Sequence, residues 1–279
     1  MRRRAFLTAL ATAAGGSAAG IEFTGRARAA TDRIPDLEAY STSSLVSRNF
    51  GPLTDDSLVA VWAEDTATNN DADGNGDAYL YGSDAPIPLV AVDGGAVGFG
   101  SMLVTDSDTD WQTGNEEFVL NVWDDALGGS GTVLWDESHG QYYGLSRFSQ
   151  FESYAEDNGY TVQSTSSLTG DLPGADAVVV TTPTNAFTQS ELNALADFVS
   201  NGGRVFLHDQ SDYENYDATA NLNDVASALG LDFRFNDDEV LDGIQNGGSD
   251  YQPVTGQFND AFPYFADREG LGLDPSETY

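Results

Sequence analysis

Residues 132–143 read Thr-Val-Leu-Trp-Asp-Glu-Ser-His-Gly-Gln-Tyr-Tyr. The apolar run 133–135 stops abruptly at a polar run that begins with Asp136. This pattern is typical of a buried parallel strand that leaves its sheet and delivers polar side chains to the rim. One of the two histidines of the chain, His139, lies in that polar run. The stretch therefore predicts a parallel sheet with a candidate site at its edge.

Apolar runs and amphipathic runs alternate after this stretch. The run 177–181, Ala-Val-Val-Val-Thr, predicts a fully buried, central strand, and Thr188 with Glu191 predicts a capping box at a helix start. The predicted strands are 132–136, 160–162, 177–181, 204–208 and 231–235, and the predicted helices are 145–157, the one beginning at Thr188 and ending before Gly202, and 221–229. Strands that alternate with helices predict an α/β fold with a doubly wound, mostly parallel sheet in three layers.

The chain before residue 132 adds further elements. A strand is predicted at 58–62, and a hairpin is predicted from 88–92 and 96–100 around Asp93-Gly94-Gly95. Asn115 predicts the N-cap of a helix, because acidic residues follow in the first turn and apolar residues share one face.

The composition is strongly acidic. The chain has 279 residues, 45 Asp and Glu, 11 Lys and Arg that are all arginine, and a net charge of −34. This charge argues against nucleic-acid binding. The absence of cysteine excludes disulfides, thiolate nucleophiles and thiolate metal sites. An acidic, lysine-free chain resembles secreted proteins of salt-loving archaea, in which molar salt screens the self-repulsion.

The N-terminus predicts export. Met1-Arg2-Arg3-Arg4-Ala5-Phe6-Leu7 is followed by a weakly apolar stretch, a pattern typical of a twin-arginine signal, and that stretch is too short for a membrane span. Ala27-Arg28-Ala29 predicts cleavage after Ala29. Loss of residues 1–29 removes five arginines and one glutamate, which leaves a net charge of −38. We therefore expect a secreted protein without a membrane span.

Two segments flank the predicted domain at 50–245. Residues 30–49 form a polar lead-in that we expect to be a flexible spacer or a surface arm. Residues 246–279 form the second segment. They contain Phe258, Phe262, Tyr264 and Phe265, which predict a short aromatic helix that packs on the domain, and residues 269–275 follow as a linker.

Residues 133–242 resemble the class I glutamine-amidotransferase-like family, in its non-catalytic branch related to the GIFT domain of intraflagellar-transport proteins. The motifs that carry the resemblance are Leu134-Trp135-Asp136-Glu137-Ser138-His139-Gly140, Ala175-Asp176-Ala177-Val178-Val179-Val180, and Thr188-x-x-Glu191-Leu192-x-x-Leu195-x-x-Phe198-Val199-x-x-Gly202-Gly203-Arg204-Val205. The resemblance implies a flavodoxin/amidotransferase-like fold. Elements that follow this half in the family precede it here, so we interpret 50–245 as one circularly permuted domain and not as two incomplete tandem domains.

The resemblance also bears on catalysis. Catalytic members of the wider family use a cysteine on a nucleophile elbow, and this chain has no cysteine. After the strand that ends at His208 the chain reads Asp209-Gln210-Ser211, which lacks the glycine spacing of an elbow. Amidotransferase chemistry is therefore excluded.

Polar clusters follow the predicted strands at the edge where doubly wound sheets bind ligands. The candidate ligand-binding residues are Asp136, Glu137, Ser138, His139, Gln141, Thr182, His208, Asp209 and Gln210. Among them, His139, His208, Glu137 and Asp209 are also candidates for catalysis, as bases, orienting groups or metal ligands. The alternative is that both histidines bind loop backbone and hold strand ends in register. Tyr142 and Tyr143 beside the first cluster suit stacking on a sugar or peptide, or capping of a helix start.

One loop resembles the opening of an EF-hand. Asp71, Asp73, Asn75 and Asp77, with Gly76, place oxygens at alternate positions as calcium requires, but Gly82 stands where the bidentate glutamate is expected. Two interpretations stay open, a calcium site and a solvated acidic loop. No other cofactor is predicted.

The functional hypotheses are therefore three. The first is a secreted, non-catalytic module that binds a small ligand, a glycan or a protein partner at the strand ends. The second is a hydrolase, or the accessory domain of a secreted nuclease-type hydrolase, that uses His139 and His208. The third is a purely structural cell-surface domain.

Overall fold

The computed structural model describes residues 33–108, 111–211 and 219–268, which belong to one compact unit. The predicted signal and the predicted linker at 269–275 lie outside these residues. The strands are β1 (Leu37–Glu38), β2 (Leu45–Ser47), β3 (Val59–Trp62), β4 (Thr68–Asn70), β5 (Pro88–Asp93), β6 (Ala96–Phe99), β7 (Gly131–Asp136), β8 (Tyr160–Thr165), β9 (Ala177–Thr181), β10 (Arg204–His208), β11 (Phe233–Phe235), β12 (Glu239–Leu241) and β13 (Val254–Thr255). The α-helices are α1 (Asn115–Leu127), α2 (Ser149–Asp157), α3 (Leu168–Asp171), α4 (Gln189–Ser200) and α5 (Thr219–Ala228), and 3₁₀ turns lie at Leu145–Arg147 and Leu172–Gly174.

Seven strands form one central sheet in the order β3-β5-β6-β10-β9-β7-β8. The strands β6, β10, β9, β7 and β8 are parallel to one another, whereas β5 pairs antiparallel with both β6 and β3. This arrangement confirms the predicted α/β class with a mostly parallel sheet. If β7 is counted as the first parallel strand, the neighbours β8, β7, β9 and β10 are the second, first, third and fourth strands along the chain. This is the flavodoxin-like strand order. The fifth place is taken by β6, which precedes β7 in the chain.

The two faces of the sheet carry separate cores. On β10, Phe206 packs into one core, whereas Val205 and Leu207 pack into the other, because successive strand residues point to opposite faces. Helices α1 and α2 cover the first face, and α4 and α5 cover the second. Every residue of β9 is buried, as its apolar run predicts for an interior strand.

The interpretation of 30–49 as a flexible spacer or surface arm is wrong for residues 33–49, the part that the structure describes. Strand β1 pairs with β13 and strand β2 pairs with β11, and Thr42, Ser43 and Ser44 are fully buried between them. The hydroxyls are tolerated there because buried partners satisfy them. Ser43 Oγ donates to Asp209 at 3.0 Å, and Ser44 Oγ donates to Asp238 at 2.7 Å.

Two predicted elements near residue 245 differ in part from the structure. The strand predicted at 231–235 is present as β11 over Phe233–Phe235, but it pairs with β2 and not with the parallel sheet. The aromatic segment packs without forming a helix. Phe265 stacks on Phe118 of α1 at 5.6 Å between ring centroids and on Phe258 at 4.5 Å, so this segment completes the core.

Two predicted helix starts differ in detail. Asn115 is the first residue of α1 and not its cap, because its side chain instead bonds the backbone of Glu38 and Leu103. The predicted helix 145–157 is divided at Phe148 into a 3₁₀ turn and α2. By contrast, Thr188 caps α4 with both bonds of the predicted capping box.

No helix in the described part of the chain is long and apolar enough to cross a membrane.

A substitution in the lead-in tests whether this segment is core. We expect Leu45→Ala, at a fully buried position of β2, to lower the free energy of unfolding by about 2–5 kcal/mol, because the change leaves a cavity. Phe50→Ala is the matched control, since Phe50 is 59% exposed in the turn after β2, and it should change stability by about 0.5 kcal/mol or less. Denaturant unfolding in molar salt measures both, and equal stabilities of the two variants would contradict the core role.

Candidate functional site

The candidate site lies at the carboxyl ends of β7, β9 and β10. Strand order reverses between β7 and β9, because the chain crosses from β8 back over β7 to reach β9. Open α/β sheets bind ligands outside the carboxyl ends of the strands at such a switch point. The loop 137–144 leaves β7 here, and the loop 182–188 leaves β9 beside it.

Asp136, the last residue of β7, is fully buried and accepts four hydrogen bonds. Its Oδ1 accepts from the backbone N–H of Ser138 at 3.0 Å and from Ser138 Oγ at 2.5 Å. Its Oδ2 accepts from His139 Nδ1 at 2.7 Å and from Gln141 Nε2 at 2.7 Å. Burial alone would raise the pKa of Asp136, but the bonds from His139 and Ser138 and the charge of His139 lower it below its usual value.

His139 lies between two carboxylates. Its Nδ1 contacts Asp136, its Nε2 is 3.5 Å from Glu191 Oε2, and its ring stacks on Phe187 at 3.7 Å between centroids. Burial opposes the charged imidazolium, but the bond and charge of Asp136 and then the charge of Glu191 outweigh it, so the pKa of His139 is raised. The ring therefore links the β7 loop to α4, and the two carboxylates favour its charged form.

The geometry around His139 is not that of a serine-hydrolase triad. Such a triad needs a nucleophile at one ring nitrogen and an acid at the other. Here Ser138 Oγ, at 3.0 Å, and Asp136 both approach Nδ1, while Glu191 faces Nε2. Both ring nitrogens face carboxylates, and Ser138 Oγ shares Nδ1 with Asp136, so the ring has no free nitrogen to take a proton from a nucleophile.

The two loops are bonded to each other across the switch point. Asn185 N–H donates to His139 O at 2.9 Å, and Thr184 Oγ1 donates to Gly140 O at 2.9 Å. Gly140 has φ +71°, and a Cβ there would lie 2.5 Å from Thr184 Oγ1, so this crossing requires glycine. The β7 and β9 loops are thus fixed as one unit.

His208 belongs to a second network. It is buried at the end of β10, stacks on Phe99 at 4.3 Å between centroids, and its Nδ1 lies 3.1 Å from Ser101 O. Burial lowers the pKa of His208 to about 4, so the ring is neutral and Nδ1 carries the donated proton. Asp209 follows, and its Oδ2 accepts from Ser43 and Thr219 at 3.0 Å each. No hydrogen bond or ion pair in the described ranges joins His208 to His139.

The remaining predicted residues divide between these networks and the surface. Thr182 N–H donates to His208 O, its φ is +20°, and its buried hydroxyl has no hydrogen-bond partner among the described residues. Glu137 is exposed, and its Oε1 accepts from Leu145 N–H at 2.8 Å. Gln210 lies half-buried after Asp209.

Glu191 and Phe187 complete the His139 site, and sequence reasoning did not assign them to it. The Thr188–Glu191 spacing indicated a capping box, which the structure has, but gave no sign that Glu191 Oε2 also faces an imidazole. The partner lies 52 positions earlier in the chain. A polar helix start directly after a central parallel strand was the one available signal.

The acidic loop brings three of its four predicted ligands together. Carboxylate oxygens of Asp71, Asp73 and Asp77 lie within 4.8 Å of one another, and this is the one group of three or more acidic, histidine or cysteine ligands found in the described ranges. Asn75 bonds within the same loop, accepting from Asp77 N–H and donating to Asp73. The Asp71 oxygens accept from the backbone of Gly74 and Gly76. Both open interpretations accommodate this geometry.

The pKa values of the two histidines should be shifted in opposite directions from the value of free histidine. We expect the ring NMR signals of His139 to keep the protonated form above pH 6.5, because two carboxylates face the ring, and those of His208 to stay neutral down to about pH 4. His139→Gln assigns the signals by removing one set. Overlapping titrations near the value of free histidine would contradict both environments.

The two histidines should also make opposite contributions to the pH dependence of the free energy of unfolding. The contribution of His139 is fully present below its unfolded pKa of about 6.5 and is lost as the pH rises through its raised folded pKa. His208 has a lowered pKa, so the unfolded chain binds more protons and stability falls as the pH decreases from about 6.5 toward 4. Unfolding of wild type and His139→Gln across pH 4–8.5 measures this, and the loss above neutrality should be absent from the variant.

Calcium binding by the acidic loop stays a prediction that titration decides. If the loop holds calcium, titration should release or absorb heat and raise the melting temperature, and Asp71→Asn should abolish both effects by removing one charged ligand. Asp55→Asn, in another exposed loop, is the control. If the wild type shows neither heat nor a change in melting temperature, the calcium interpretation is contradicted and the loop is a solvated acidic loop.

Comparison with known proteins finds a match to one family model over part of the chain. A family model described as "Domain of unknown function (DUF4350)" matches residues 148–264, which begin in α2 and run through the aromatic segment. No match was found among curated proteins. A structure titled "Structure of IMPa from Pseudomonas aeruginosa in complex with an O-glycopeptide" is similar at a TM-score of 0.41 and 12% identity over 80% of this chain, and the chain spans 22% of that structure. Residues 148–264 are therefore similar to DUF4350, and the Asp136–His139 loop lies before the matched range.

Proposed function

We propose that this chain is a secreted, non-catalytic, amidotransferase-like α/β domain that binds a small ligand, a glycan or a protein partner at the carboxyl edge of its sheet. The observation that carries the proposal is that both ring nitrogens of His139 face carboxylates. Because carboxylates occupy both nitrogens, the ring links the β7 loop to α4 and has no free nitrogen to act as a base.

The position of the network supports binding. The saturated bonds around Asp136 hold the β7 loop in one conformation at the switch point, and the bonds from Asn185 and Thr184 hold the β9 loop against it. A site whose loops are fixed before the ligand arrives loses less conformational entropy on binding. The rigid loops are thus suited to present side chains above them to a ligand.

Strand order supports the relation to the amidotransferase-like family and its permutation. Strand β6 lies parallel to β10 in the place that a fifth strand would take after β10, yet it precedes β7 in the chain. A circular permutation produces such an order. Secretion rests on the twin-arginine pattern and on the acidic composition.

A hydrolase, or the accessory domain of a secreted nuclease-type hydrolase, is the alternative. The observation that favours it is the 3.0 Å contact between Ser138 Oγ and His139 Nδ1. Because Asp136 occupies the same nitrogen, we expect Ser138→Ala and His139→Gln to leave any hydrolytic activity of the protein unchanged. Loss of such an activity in a Ser138→Ala variant with wild-type circular dichroism would establish the alternative.

A fluorescent reporter tests binding at this edge. The chain has no cysteine, so Ala186→Cys carries a single environment-sensitive dye on the exposed β9 loop. Ser130→Cys is the matched control, exposed just before β7 at the opposite edge. We expect one class among peptides, nucleosides, and neutral and charged sugars to change the emission at 186 and not at 130. If no class changes it, binding at the edge is contradicted.

A further inference from the structure

Four tyrosines lie over the same edge, three of them exposed and Tyr143 half-buried, and we name them the tyrosine rim: Tyr40, Tyr142, Tyr143 and Tyr251. They make two edge-to-face pairs. Tyr142 and Tyr143 lie 5.1 Å apart at 89°, and Tyr40 and Tyr251 lie 5.5 Å apart at 85°. Exposed fractions of 63% for Tyr142, 45% for Tyr40 and 38% for Tyr251 are high for side chains of this size.

Backbone bonds fix the rim to the ends of the parallel strands. Tyr143 O accepts from Trp135 Nε1 of β7 at 3.1 Å and from Thr181 Oγ1 of β9 at 2.8 Å, so Tyr143 lies at the switch point. Tyr40 O accepts from Ser101 Oγ after β6 at 3.0 Å. The rim is therefore attached to the carboxyl edge where a doubly wound sheet binds its ligands.

The backbone beside the rim is strained. Ser41, next to Tyr40, has φ +50°, Leu103 in the loop after β6 has φ +59°, and Thr182 after β9 has φ +20°. Non-glycine residues adopt such conformations at a cost and concentrate at functional sites. Thr182 also carries the buried hydroxyl without a partner among the described residues.

Charged groups join the two tyrosine pairs. Burial and then the field of Asp108 raise the pKa of Tyr143, and burial, Tyr251 and then Asp108 raise that of Tyr40, so Asp108 lies near both pairs. Arg147 Cζ is 3.8 Å from the centre of the Tyr142 ring, and its Nε donates to Tyr142 O at 2.9 Å. The guanidinium therefore holds this exposed ring in place.

This combination of groups suits a neutral sugar. The apolar C–H face of a pyranose packs on a tyrosine ring through dispersion, while phenol, carboxylate and guanidinium groups match its hydroxyls. Among the large exposed apolar side chains of the described residues, Tyr40, Tyr142 and Tyr251 belong to the rim, Ile244 lies in the same β12–β13 loop as Tyr251, and Leu80 lies in another loop. Molar salt screens the net charge of the chain, but the carboxylate of Asp108 near both tyrosine pairs still disfavours phosphates and acidic sugars at short range.

We propose that the tyrosine rim, together with Asp108 and Arg147, binds a neutral oligosaccharide by stacking sugar rings on Tyr142 and Tyr40. This rests on the proposed function, for which it names the ligand class and the contact residues.

Calorimetric titration with maltohexaose, cellohexaose, mannohexaose and chitohexaose in molar salt tests the inference. We expect one of them to bind the wild type, and Tyr142→Ala and Tyr40→Ala each to raise its Kd roughly tenfold, as loss of an aromatic anchor does. Tyr142→Trp should keep the affinity because it keeps the platform. Phe50→Ala, which removes an equally exposed ring from the turn after β2, should not change it. Melting temperatures of all variants show that they fold.

The other outcomes separate this inference from the proposed function. If no neutral oligosaccharide binds but peptides or nucleosides change the emission at position 186, the sugar inference falls and the proposed function stands. If an oligosaccharide binds all variants equally and the dye at 186 stays silent, it binds elsewhere and both proposals fall. Stronger binding of an acidic oligosaccharide overturns the choice of a neutral one.

Discussion

Buried carboxylates that accept several hydrogen bonds fix the polar edge of this sheet. Asp136 accepts four, Asp209 accepts from Ser43 and Thr219, and Asp238 accepts from Ser44 N–H and Oγ and from Asn69. Burial raises the pKa of Asp238 to about 6 against these bonds, which shows how costly its charge is in the interior. Since an uncompensated buried charge is among the most destabilising defects, the loops that supply the donors are held in place.

This constraint explains why the edge is closed at one end and open at the other. Near β6 and β10, the lead-in fills the crevice, because Ser43 N–H donates to Gly100 O and Ser211 N–H donates to Ser41 O. His208 and Asp209 are covered beneath it and do not face solvent. Near β7 and β9 the loops bond to each other, and Tyr142 is left exposed above them. A ligand has access to the upper surface of this edge and not to its histidines.

The elements that were predictable from sequence are those whose signal is local. Strands 177–181 and 204–208 were predicted with their observed bounds because apolar runs between turn residues mark buried parallel strands. The capping box at Thr188 has its signal within three residues. The burial of the lead-in was not predictable, because a serine-rich run is typical of a surface segment. The carboxylates that accept hydrogen bonds from Ser43 and Ser44 lie 166 and 194 positions away in the chain. Glu191 was found as a cap and missed as a partner of His139 for the same reason.

The surplus of negative charge also limits what the open edge can bind. Molar salt screens the net charge of −34 at long range, so the repulsion that an anion meets at the open edge comes from nearby carboxylates such as Asp108, and buried acids that are locked in hydrogen bonds cannot reorganise to admit one. A neutral ligand avoids this repulsion and requires only rigid apolar faces with donors and acceptors beside them. Tyr142, fixed by Arg147, and Tyr40, whose backbone carbonyl accepts from Ser101 Oγ, supply such faces. The buried network below the rim thus keeps the exposed tyrosines above it rigid, and this rigidity allows them to act as a binding surface.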